Sequence, residues 1–468
     1  METFYLIIVI FIFLIAVFDL SVGVSNDAVN FLNSAIGAKA ASFKVIMAIA
    51  AIGIFVGASM SNGMMDIARH GIYQPQFFYL NEIMCILLAV MLTDVVLLDV
   101  FNTMGLPTST TVSMVFELLG GTFALAIVKT INSNGALQMG DLINTDKALQ
   151  VIIAIFVSVA IAFFFGVVVQ YIARLIFKFN YRRQLKYFGA LFGGFASTTI
   201  IYFILINGLK ASTMMTPEAR AWIHENTQLL MGCCFVVTTL LMQILMWCRV
   251  NVLKVVVLLG TFALALAFAG NDLVNFIGVP LAGFSAYTDY VANANGLAPD
   301  QFLTTSLLES ARTPSVFLIG SGIIMVIALF TSKKAQNVIK TSVDLSRQET
   351  GEENFGTSPI ARKLVRMTTN ASSLIINNIP PKARTWLNSR FDKDDVILEH
   401  GAAFDLVRAS VNLVLASLLI ALGTSLKLPL STTYVTFMVA MGSSLADRAW
   451  GRDSAVYRIT GVISVIGG

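Results

Sequence analysis

The sequence predicts an all-α polytopic membrane protein, in which two inverted-topology repeats bring broken helices together at the membrane midplane. Hydrophobic residues form 56% of the 468 residues and charged residues 12%, which is about half the charge of a soluble domain. Several apolar runs reach the roughly 20 residues that a bilayer crossing needs. The pattern Asn-Asp-x-Val-Asn-Phe occurs at 26–31 and again at 271–276, each time inside such a run.

The charged and sulfur-containing residues exclude several classes of protein. The net charge of +4 comes from Lys and Arg residues that gather in a few loops, which is typical of membrane topology and predicts no nucleic-acid partner. The four cysteines lie in apolar runs without histidines at metal-ligand spacing, so we expect no metal centre, disulfide framework or cofactor. These are Cys85, Cys233, Cys234 and Cys248.

Residues 1–148 are assigned to the first repeat. Its apolar runs predict helices near 4–36, 43–60, 81–100 and 105–128. Met1-Glu2-Thr3 lacks the basic segment of a signal peptide, so we interpret the first run as a membrane helix. Lys39 and Lys44 follow it, which favours a cytoplasmic loop there and an N-terminus outside the membrane.

Residues 149–250 are interpreted as connecting transmembrane helices. Apolar runs predict helices near 149–177, 187–206 and 229–247. The densest short basic cluster of the chain lies around the loop after the first of these helices, which indicates that this loop is cytoplasmic. The cluster consists of Arg174, Lys178, Arg182, Arg183 and Lys186.

A charged insertion divides the second repeat. The first part, residues 251–330, holds a predicted helix near 252–284 and another that ends near residue 330. From residue 331 to 400 the apolar periodicity stops, and charges of both signs appear with Gly, Ser and Pro. We interpret this stretch as a cytoplasmic insertion, partly helical and partly mobile, and favour a solvated linker over a regulatory domain.

Residues 401–468 form the second part of that repeat. A helix near 404–422 leads to Leu428-Pro429-Leu430-Ser431-Thr432-Thr433 and a further apolar run. The run after Arg458 is too short to span a membrane, which suggests a truncated chain.

The two halves repeat in spacing as well as in motif. Asn26 and Ser109 lie 83 positions apart, Asn271 and Ser431 lie 160 apart, and the excess of 77 is close to the length of the insertion. Loop charges orient the first motif-bearing helix from outside to inside and the second from inside to outside. Inverted repeats around a midplane site are the usual geometry of alternating access in transporters.

Each half also carries a cluster of hydroxyl residues after a proline, Thr108 to Thr111 and Ser431 to Thr433. Pro107 and Pro429 are suited to open a helix, because the missing N–H would be unpaired there. The N–H groups and hydroxyls that follow would face one point, where the helix dipole favours an anion. Two such ends predict a site for a tetrahedral oxyanion with neutral donors, whereas one alone would indicate ordinary helix packing.

The repeated Asn-Asp motif supplies acceptors. Asn and Asp compete for helical hydrogen bonds, and an ionised Asp at the membrane centre costs about 2.5–3.5 kcal/mol on insertion scales. We therefore expect the motif to interrupt its helix at both copies. Unwound carbonyls, amide oxygens and a carboxylate suit a hard cation such as Na⁺, and the carboxylate could instead carry a proton. The simpler alternative is that these residues only join helices by hydrogen bonds.

These motifs resemble those of the inorganic phosphate transporter (PiT) family. The matching segments are Ser25-Asn26-Asp27-Ala28-Val29-Asn30 with Ile36-Gly37-Ala38-Lys39, then Pro107-Thr108-Ser109-Thr110-Thr111, Ala269-Gly270-Asn271-Asp272-Leu273-Val274-Asn275, and Pro429-Leu430-Ser431-Thr432-Thr433. The resemblance implies phosphate uptake by symport with Na⁺ or H⁺, and often a homodimer. It implies cation ligands at Asp27, Asn30, Asp272 and Asn275. It implies phosphate ligands at Asn26, Ser109, Thr110, Thr111, Asn271, Ser431, Thr432 and Thr433.

The chain departs from the family pattern in two respects. The His that follows the family's hydroxyls is replaced by Val112 in one half and by Tyr434 in the other. Many members carry a Glu three residues before a Gly in the second helix, where this chain has Ala50 before Gly53. These changes leave both Na⁺ and H⁺ open as the coupling ion.

Alternatives to a phosphate symporter follow from the same residues. A symporter of sulfate or another oxyanion would use the same neutral donors. An intramembrane aspartyl enzyme would need the two aspartates as a close pair and would have little use for hydroxyl clusters. An anion channel is disfavoured by the two acidic sites. The preferred interpretation is a multi-pass protein of the plasma (inner) membrane bilayer that is not an enzyme.

Overall fold

The computed structural model describes residues 2–61, 65, 67–133, 136–203, 216–309, 313–348, 356–363, 365–366, 380–392, 396–425 and 430–467. This part of the chain is mainly helical, and its β pairing is limited to isolated bridges between Tyr73 and Ile143 and between Tyr79 and Leu303. Eight of the described helices are long and apolar enough to cross a membrane. The prediction of an all-α, multi-pass membrane protein is therefore confirmed.

The helices follow the apolar runs closely, and the run predicted at 43–60 coincides with a helix. Up to residue 176 they are α1 (Glu2–Gly37), α2 (Phe43–Met60), α3 (Leu80–Met104), α4 (Thr110–Asn132), α5 (Met139–Leu142) and α6 (Thr145–Ile176). Beyond it they are α7 (Arg182–Phe203), α8 (Pro217–Glu225), α9 (Thr227–Trp247), α10 (Val252–Asn293), α11 (Ser315–Thr331), α12 (Lys334–Ser346), α13 (Pro381–Arg390), α14 (Leu406–Ser425), α15 (Thr432–Ala446) and α16 (Arg452–Gly467).

Both Asn-Asp motifs lie inside unbroken helices, so the expectation that they interrupt them is wrong. α1 runs for 36 residues through Asn26 and Asp27, and α10 runs for 42 residues through Asn271 and Asp272. The carboxylates and Asn26 have hydrogen-bond partners outside their own helix. These side chains therefore do not compete with the backbone hydrogen bonds of their own helix.

The helices break at the hydroxyl clusters instead. α3 ends at Met104 and is capped by Gly105, whose φ of 69° is the left-handed conformation that glycine adopts without strain. α4 starts at Thr110 with Ser109 as its N-cap. Pro107 thus stands two residues before the cap and does not open the helix, contrary to expectation. The second break separates α14 from α15, and Pro429 lies outside the described residues.

α1 and α10 pack against each other in opposite directions. The ring of Phe13 lies 6.2 Å from that of Phe284, whereas Phe31 lies 5.5 Å from Phe268. Residue numbers that increase along α1 therefore pair with residue numbers that decrease along α10, so the two helices are antiparallel. Between these pairs a Cβ on Gly23 would come within 2.0 Å of a ring carbon of Phe276, so the close approach requires glycine. The two motif copies thus lie on antiparallel helices, as an inverted repeat requires.

Small residues bring other helix pairs into close contact, as is common in membranes. A Cβ on Gly57 of α2 would lie 2.3 Å from the carbonyl oxygen of Leu266 on α10, and one on Gly442 of α15 would lie 2.4 Å from that of Phe163 on α6. The other side of α6 is exposed and apolar, with Phe164 60% exposed. Such a face suits contact with lipid.

The charged insertion begins with a packed helix. α12 follows α11 at a bend of 71° and buries Ala335, Val338 and Ile339 at helical spacing. Asn33 of α1 donates a hydrogen bond to Ser342 at 2.8 Å. The expected loss of apolar periodicity is therefore wrong for Lys334–Ser346, because that stretch keeps one narrow apolar stripe. The division of the chain into domains stays a prediction.

Candidate functional site

The first motif copy contacts both hydroxyl clusters. Asp27 is fully buried and accepts hydrogen bonds from the hydroxyls of Thr110 on α4 and Thr433 on α15, each at 2.9 Å. Three residues later on α1, the side-chain amide of Asn30 donates to Thr433 at 2.9 Å and to Thr432 at 3.5 Å. One carboxylate and one amide of α1 therefore connect the N-termini of two helices that lie more than 300 positions apart in sequence.

The second motif copy makes matching contacts. Asp272 is 1% exposed and accepts hydrogen bonds from the hydroxyls of Thr432 and Thr111, the latter at 3.3 Å. The amide of Asn275 donates to Thr110 at 3.1 Å and to Thr111 at 3.0 Å. The contacts of α10, like those of α1, thus use three threonines from the two clusters, and Thr110 and Thr432 contact both helices.

The contacts of the first motif copy correspond one by one to those of the second, with the roles of the two halves of the chain reversed. Asp27 binds the first threonine of its own half and the second of the other half. Asp272 does the same with Thr432 and Thr111. Each Asn binds both threonines of the opposite half. This is the pattern of a two-fold relation between the repeats, and we call these eight residues the central cluster: Asp27, Asn30, Thr110, Thr111, Asp272, Asn275, Thr432 and Thr433.

Asn26 fixes the break between α3 and α4. Its side-chain oxygen accepts the backbone N–H of Thr108 at 2.8 Å, and its amide donates to the side chain of Asn102 at 2.8 Å and to the carbonyl of Leu106 at 3.1 Å. The side chain therefore satisfies backbone groups that the break leaves without helical partners. Asn271, its counterpart, lies half-buried beside Asp272 on α10.

The two serines before the threonine pairs act as helix caps. The hydroxyl of Ser109 accepts the N–H of Val112 at 3.2 Å, and that of Ser431 accepts the N–H of Tyr434 at 3.1 Å. Each side chain thus occupies one of the free N–H groups at the start of its helix. The hydroxyls that reach the carboxylates are those of the threonines.

The oxygens of the central cluster suit a hard monovalent cation. The side-chain oxygen of Asn275 is buried and has no hydrogen-bond donor among the described residues. It lies beside a carboxylate and hydroxyl oxygens, which are the ligands that hard cations prefer. The described residues contain no group of three or more His, Cys, Asp or Glu spaced to hold a metal ion. Oxygen ligands without imidazole or thiolate fit a hard cation such as Na⁺ better than a soft metal.

A second buried acidic group was missed by the sequence analysis. The hydroxyl of Ser113 on α4 lies 2.6 Å from a carboxyl oxygen of Asp94 on α3 and 2.9 Å from one of Glu117. Asp19 on α1 is fully buried nearby. The signal was present in the sequence, since each of these acids lies within an apolar run, where a charge is expensive and usually functional.

Four buried charges join α6, α14 and the end of α15, and the sequence analysis found only one of them. Arg174 donates to Asp405 at 2.8 Å and to Asp447 at 2.6 Å, and Arg408 donates to Asp447 at 2.8 Å. All four side chains are 0–3% exposed. We call them the charge quartet. The basic cluster predicted around Arg174 is thus partly a structural element and not only a topology signal.

The chain is similar to known proteins in sequence and in fold. A scan against protein-family models matches residues 23–342 to the phosphate transporter family. A search of curated proteins finds no match. Among solved structures the fold is similar to that of a protein described as "the sodium-dependent phosphate transporter", with a TM-score of 0.62 and 17% sequence identity. The similarity covers 98% of this chain and 99% of the other.

Proposed function

Because this chain belongs to the phosphate transporter family, we propose that it carries inorganic phosphate across the membrane by symport with Na⁺, using alternating access around the central cluster. Family membership makes the chain a transporter, and the intramembrane aspartyl enzyme is no longer a competing interpretation. The observation that carries the proposal is the interchange of contacts between the two halves. A site that is equivalent from both sides can open to either one by movement of one half against the other.

The proposed cation ligands are the side chains of Asp27 and Asn30 in one half and of Asp272 and Asn275 in the other. A buried carboxylate is stable only with a compensating charge or enough donors. The threonine hydroxyls supply donors in this structure. A bound Na⁺ would supply the opposite charge in their place, and the oxygen of Asn275 would gain a partner.

The proposed phosphate ligands are the hydroxyls of the four threonines and the N-terminal N–H groups of α4 and α15. Ser109 and Ser431 shape these ends, and Asn26 and Asn271 flank them. A hydroxyl has a single hydrogen to donate. While that hydrogen points at a carboxylate it cannot bind an anion, so Na⁺ at the carboxylates would free donors for phosphate. Binding of the two ions would then be coupled in both directions.

Uptake of radiolabelled phosphate by proteoliposomes tests the proposal. We expect Asp27→Asn and Asp272→Asn each to abolish concentrative uptake driven by a Na⁺ gradient, because either change removes one cation-binding carboxylate. Asp146→Asn, at the exposed start of α6, serves as the control and should retain the wild-type rate. Wild-type uptake by either of the first two variants would contradict the cation-site assignment.

The same assay separates the remaining alternatives. Uptake driven by a proton gradient without Na⁺ would make H⁺ the coupling ion. Competition by sulfate at equal concentration would indicate a general oxyanion carrier. Phosphate flux that ignores both cation gradients would indicate an anion channel. We propose phosphate over these because the chain belongs to the phosphate transporter family, and Na⁺ because the buried oxygen of Asn275, beside a carboxylate, lacks a donor in the described part of the chain.

Orientation and assembly complete the proposal. We propose an N-terminus outside the plasma (inner) membrane, from the Lys and Arg residues of the intervening loops, and a homodimer, from the resemblance to the family. A tag at the N-terminus that is accessible to protease in intact cells would support the first. A detergent-corrected mass of two chains by light scattering would support the second.

A further inference from the structure

We propose that Asp19, Asp94 and Glu117 form a proton-binding site, separate from the central cluster, with Ser113 as the relay between them. We call these four residues the acid cluster. The inference adds a second ion site to the transporter proposed above and rests on that function only for its uptake measurement.

The acid cluster is a connected chain of side chains across three helices. Asp19 lies buried on α1, close to Asp94 on α3. The hydroxyl of Ser113 on α4 lies 2.6 Å from Asp94 and 2.9 Å from Glu117. Asp19 is 0% and Asp94 1% exposed. The chain thus begins at a fully buried acid and ends at Glu117, one turn beyond Ser113 on α4.

A count of hydrogens shows that these acids cannot all be ionised. The cluster has two contacts between oxygens at hydrogen-bond distance, Asp94 with Ser113 and Ser113 with Glu117. Each contact needs one hydrogen, and the hydroxyl of Ser113 has one to donate. An ionised carboxylate has none. One further hydrogen must therefore come from Asp94 or Glu117, so these two acids carry at most one negative charge between them.

Within the described part of the chain, the surroundings of Asp19 provide no other source of compensation. Neither of its carboxyl oxygens has a hydrogen-bond donor among the described residues, although both are buried. The charged groups that act on it are those of Asp94, Glu117 and Asp27, all of them acidic. A buried carboxyl group without donor or base is stable only when it holds or shares a proton. Asp19 is therefore a buried acid without a donor in the described structure, close to Asp94.

A route for the proton leads from the cluster to a cavity. Glu117 and Ser113 line a cavity of about 580 Å³ between α3, α4 and α6. In a relay step, Asp94 gives its proton to the Ser113 oxygen while the Ser113 hydroxyl gives its own to Glu117, so that every oxygen keeps its number of bonds. Glu117 then releases the proton to water in the cavity. The reverse sequence reloads the pair of aspartates.

The acid cluster is placed to act on the proposed Na⁺ site through charge. Asp19 and Asp27 lie on the same helix, eight residues or about 12 Å apart along its axis. Loss of the shared proton adds a negative charge near Asp27 and favours a cation there, whereas its gain disfavours one. The cluster would therefore make the Na⁺ dependence of transport respond to pH.

Infrared difference spectroscopy on the purified chain tests the site without any transport. At neutral pH we expect a carbonyl stretching band of protonated carboxylic acids, and we expect Asp94→Asn and Glu117→Gln each to remove part of it. Asp99→Asn is the matched control, since Asp99 lies on the same helix as Asp94 but is exposed and paired with Lys334. It should leave the band unchanged. An unchanged band in both cluster variants overturns the proposal.

A second arm distinguishes a proton from a metal cation. If addition of Na⁺ at constant pH abolishes the spectral component that Asp94→Asn removes even in an Asp27→Asn/Asp272→Asn background, which lacks the carboxylates of the proposed Na⁺ site, the cluster is a cation site and the proton assignment fails. In the wild type, the Na⁺ concentration that gives half-maximal phosphate uptake should vary with pH. In Glu117→Gln this concentration should no longer vary with pH. If the wild type shows the band but carries no phosphate, the proposed function fails and the proton site stands.

Discussion

The serine that precedes each threonine pair has a different task from the threonines themselves. Ser431 accepts the N–H of Tyr434, whereas Thr432 and Thr433 donate to the carboxylates. The position of a hydroxyl relative to the first helical turn decides between the two tasks. The residue at the cap faces its own backbone, and the next two can face another helix.

This distinction predicts different effects for neighbouring substitutions. Ser431→Ala should lower the free energy of unfolding by about 1 kcal/mol, because the helix loses its cap, and should leave phosphate affinity close to that of the wild type. Thr432→Val keeps the shape but removes a donor to the anion, so we expect phosphate affinity to fall about tenfold or more. Thermal unfolding in detergent and phosphate binding to the purified protein measure the two effects. The reverse assignment, with affinity lost in Ser431→Ala alone, would contradict the structure.

The repeated pattern makes the Asn-Asp motif recognisable in the sequence, whereas acidic residues that occur outside any repeat, such as Asp19 and Glu117, give no such signal. Asp27 and Asp272 stood out in the sequence because the same six-residue pattern occurs twice. Asp19 and Glu117 occur once each, and their partners lie on other helices. Sequence spacing along one helix cannot show that Ser113 connects Glu117 to Asp94. The contacts that complete both sites are long-range and depend on the packing of the helices.

At the scale of the helix, the breaks expected in α1 and α10 are absent, whereas the helix starts expected at the hydroxyl clusters are present. Considered within its own helix, the Asn26 side chain competes with the backbone for hydrogen bonds, and this competition predicts that α1 unwinds there. The structure pairs that side chain with the N–H of Thr108, 82 positions away. The polar residue is thereby paired, and the break falls at Gly105 in the neighbouring hairpin. Apolar run length did fix the positions of the helices, as the match at Phe43–Met60 shows.

Close helix contact predicts the effect of an added methyl group on α15. Gly442→Ala would place a Cβ 2.4 Å from the carbonyl oxygen of Phe163, so the two helices must separate. We expect a loss of about 1–3 kcal/mol in stability, as for other overpacked interiors, measured as a lower unfolding temperature in detergent. Gly320→Ala on α11 is the control, because no atom lies within 4 Å of the added Cβ. An equal effect of both variants would show that the α6–α15 contact is not tight.

At the scale of the whole molecule, the charge quartet joins the connecting helix α6 to the second repeat. Asp447→Asn would leave the guanidinium groups of Arg174 and Arg408 with less compensation in a fully buried place. Removal of one partner from such a group costs about 3–5 kcal/mol. We therefore expect a large drop in unfolding temperature and in the yield of folded protein.

Glu399→Gln provides the comparison for this prediction. It breaks an ion pair with Lys254 whose side chains are 35% and 45% exposed, and exposed pairs contribute about 0–1 kcal/mol. Its unfolding temperature should stay close to that of the wild type. If Asp447→Asn were equally mild, the quartet would not hold α6, α14 and α15 together.

Each aspartate of the central cluster needs a threonine from the other half of the chain, and this limits how the chain can be divided into working fragments. Because Asp27 relies on Thr433 and Asp272 relies on Thr111, a polypeptide ending after the first half would carry an aspartate with one of its two hydroxyl donors missing. If the chain is divided between the repeats, the two fragments should bind ions only when both are produced together and associate. A gene encoding one such half could serve a cell only if two of its products met head to tail in the same bilayer.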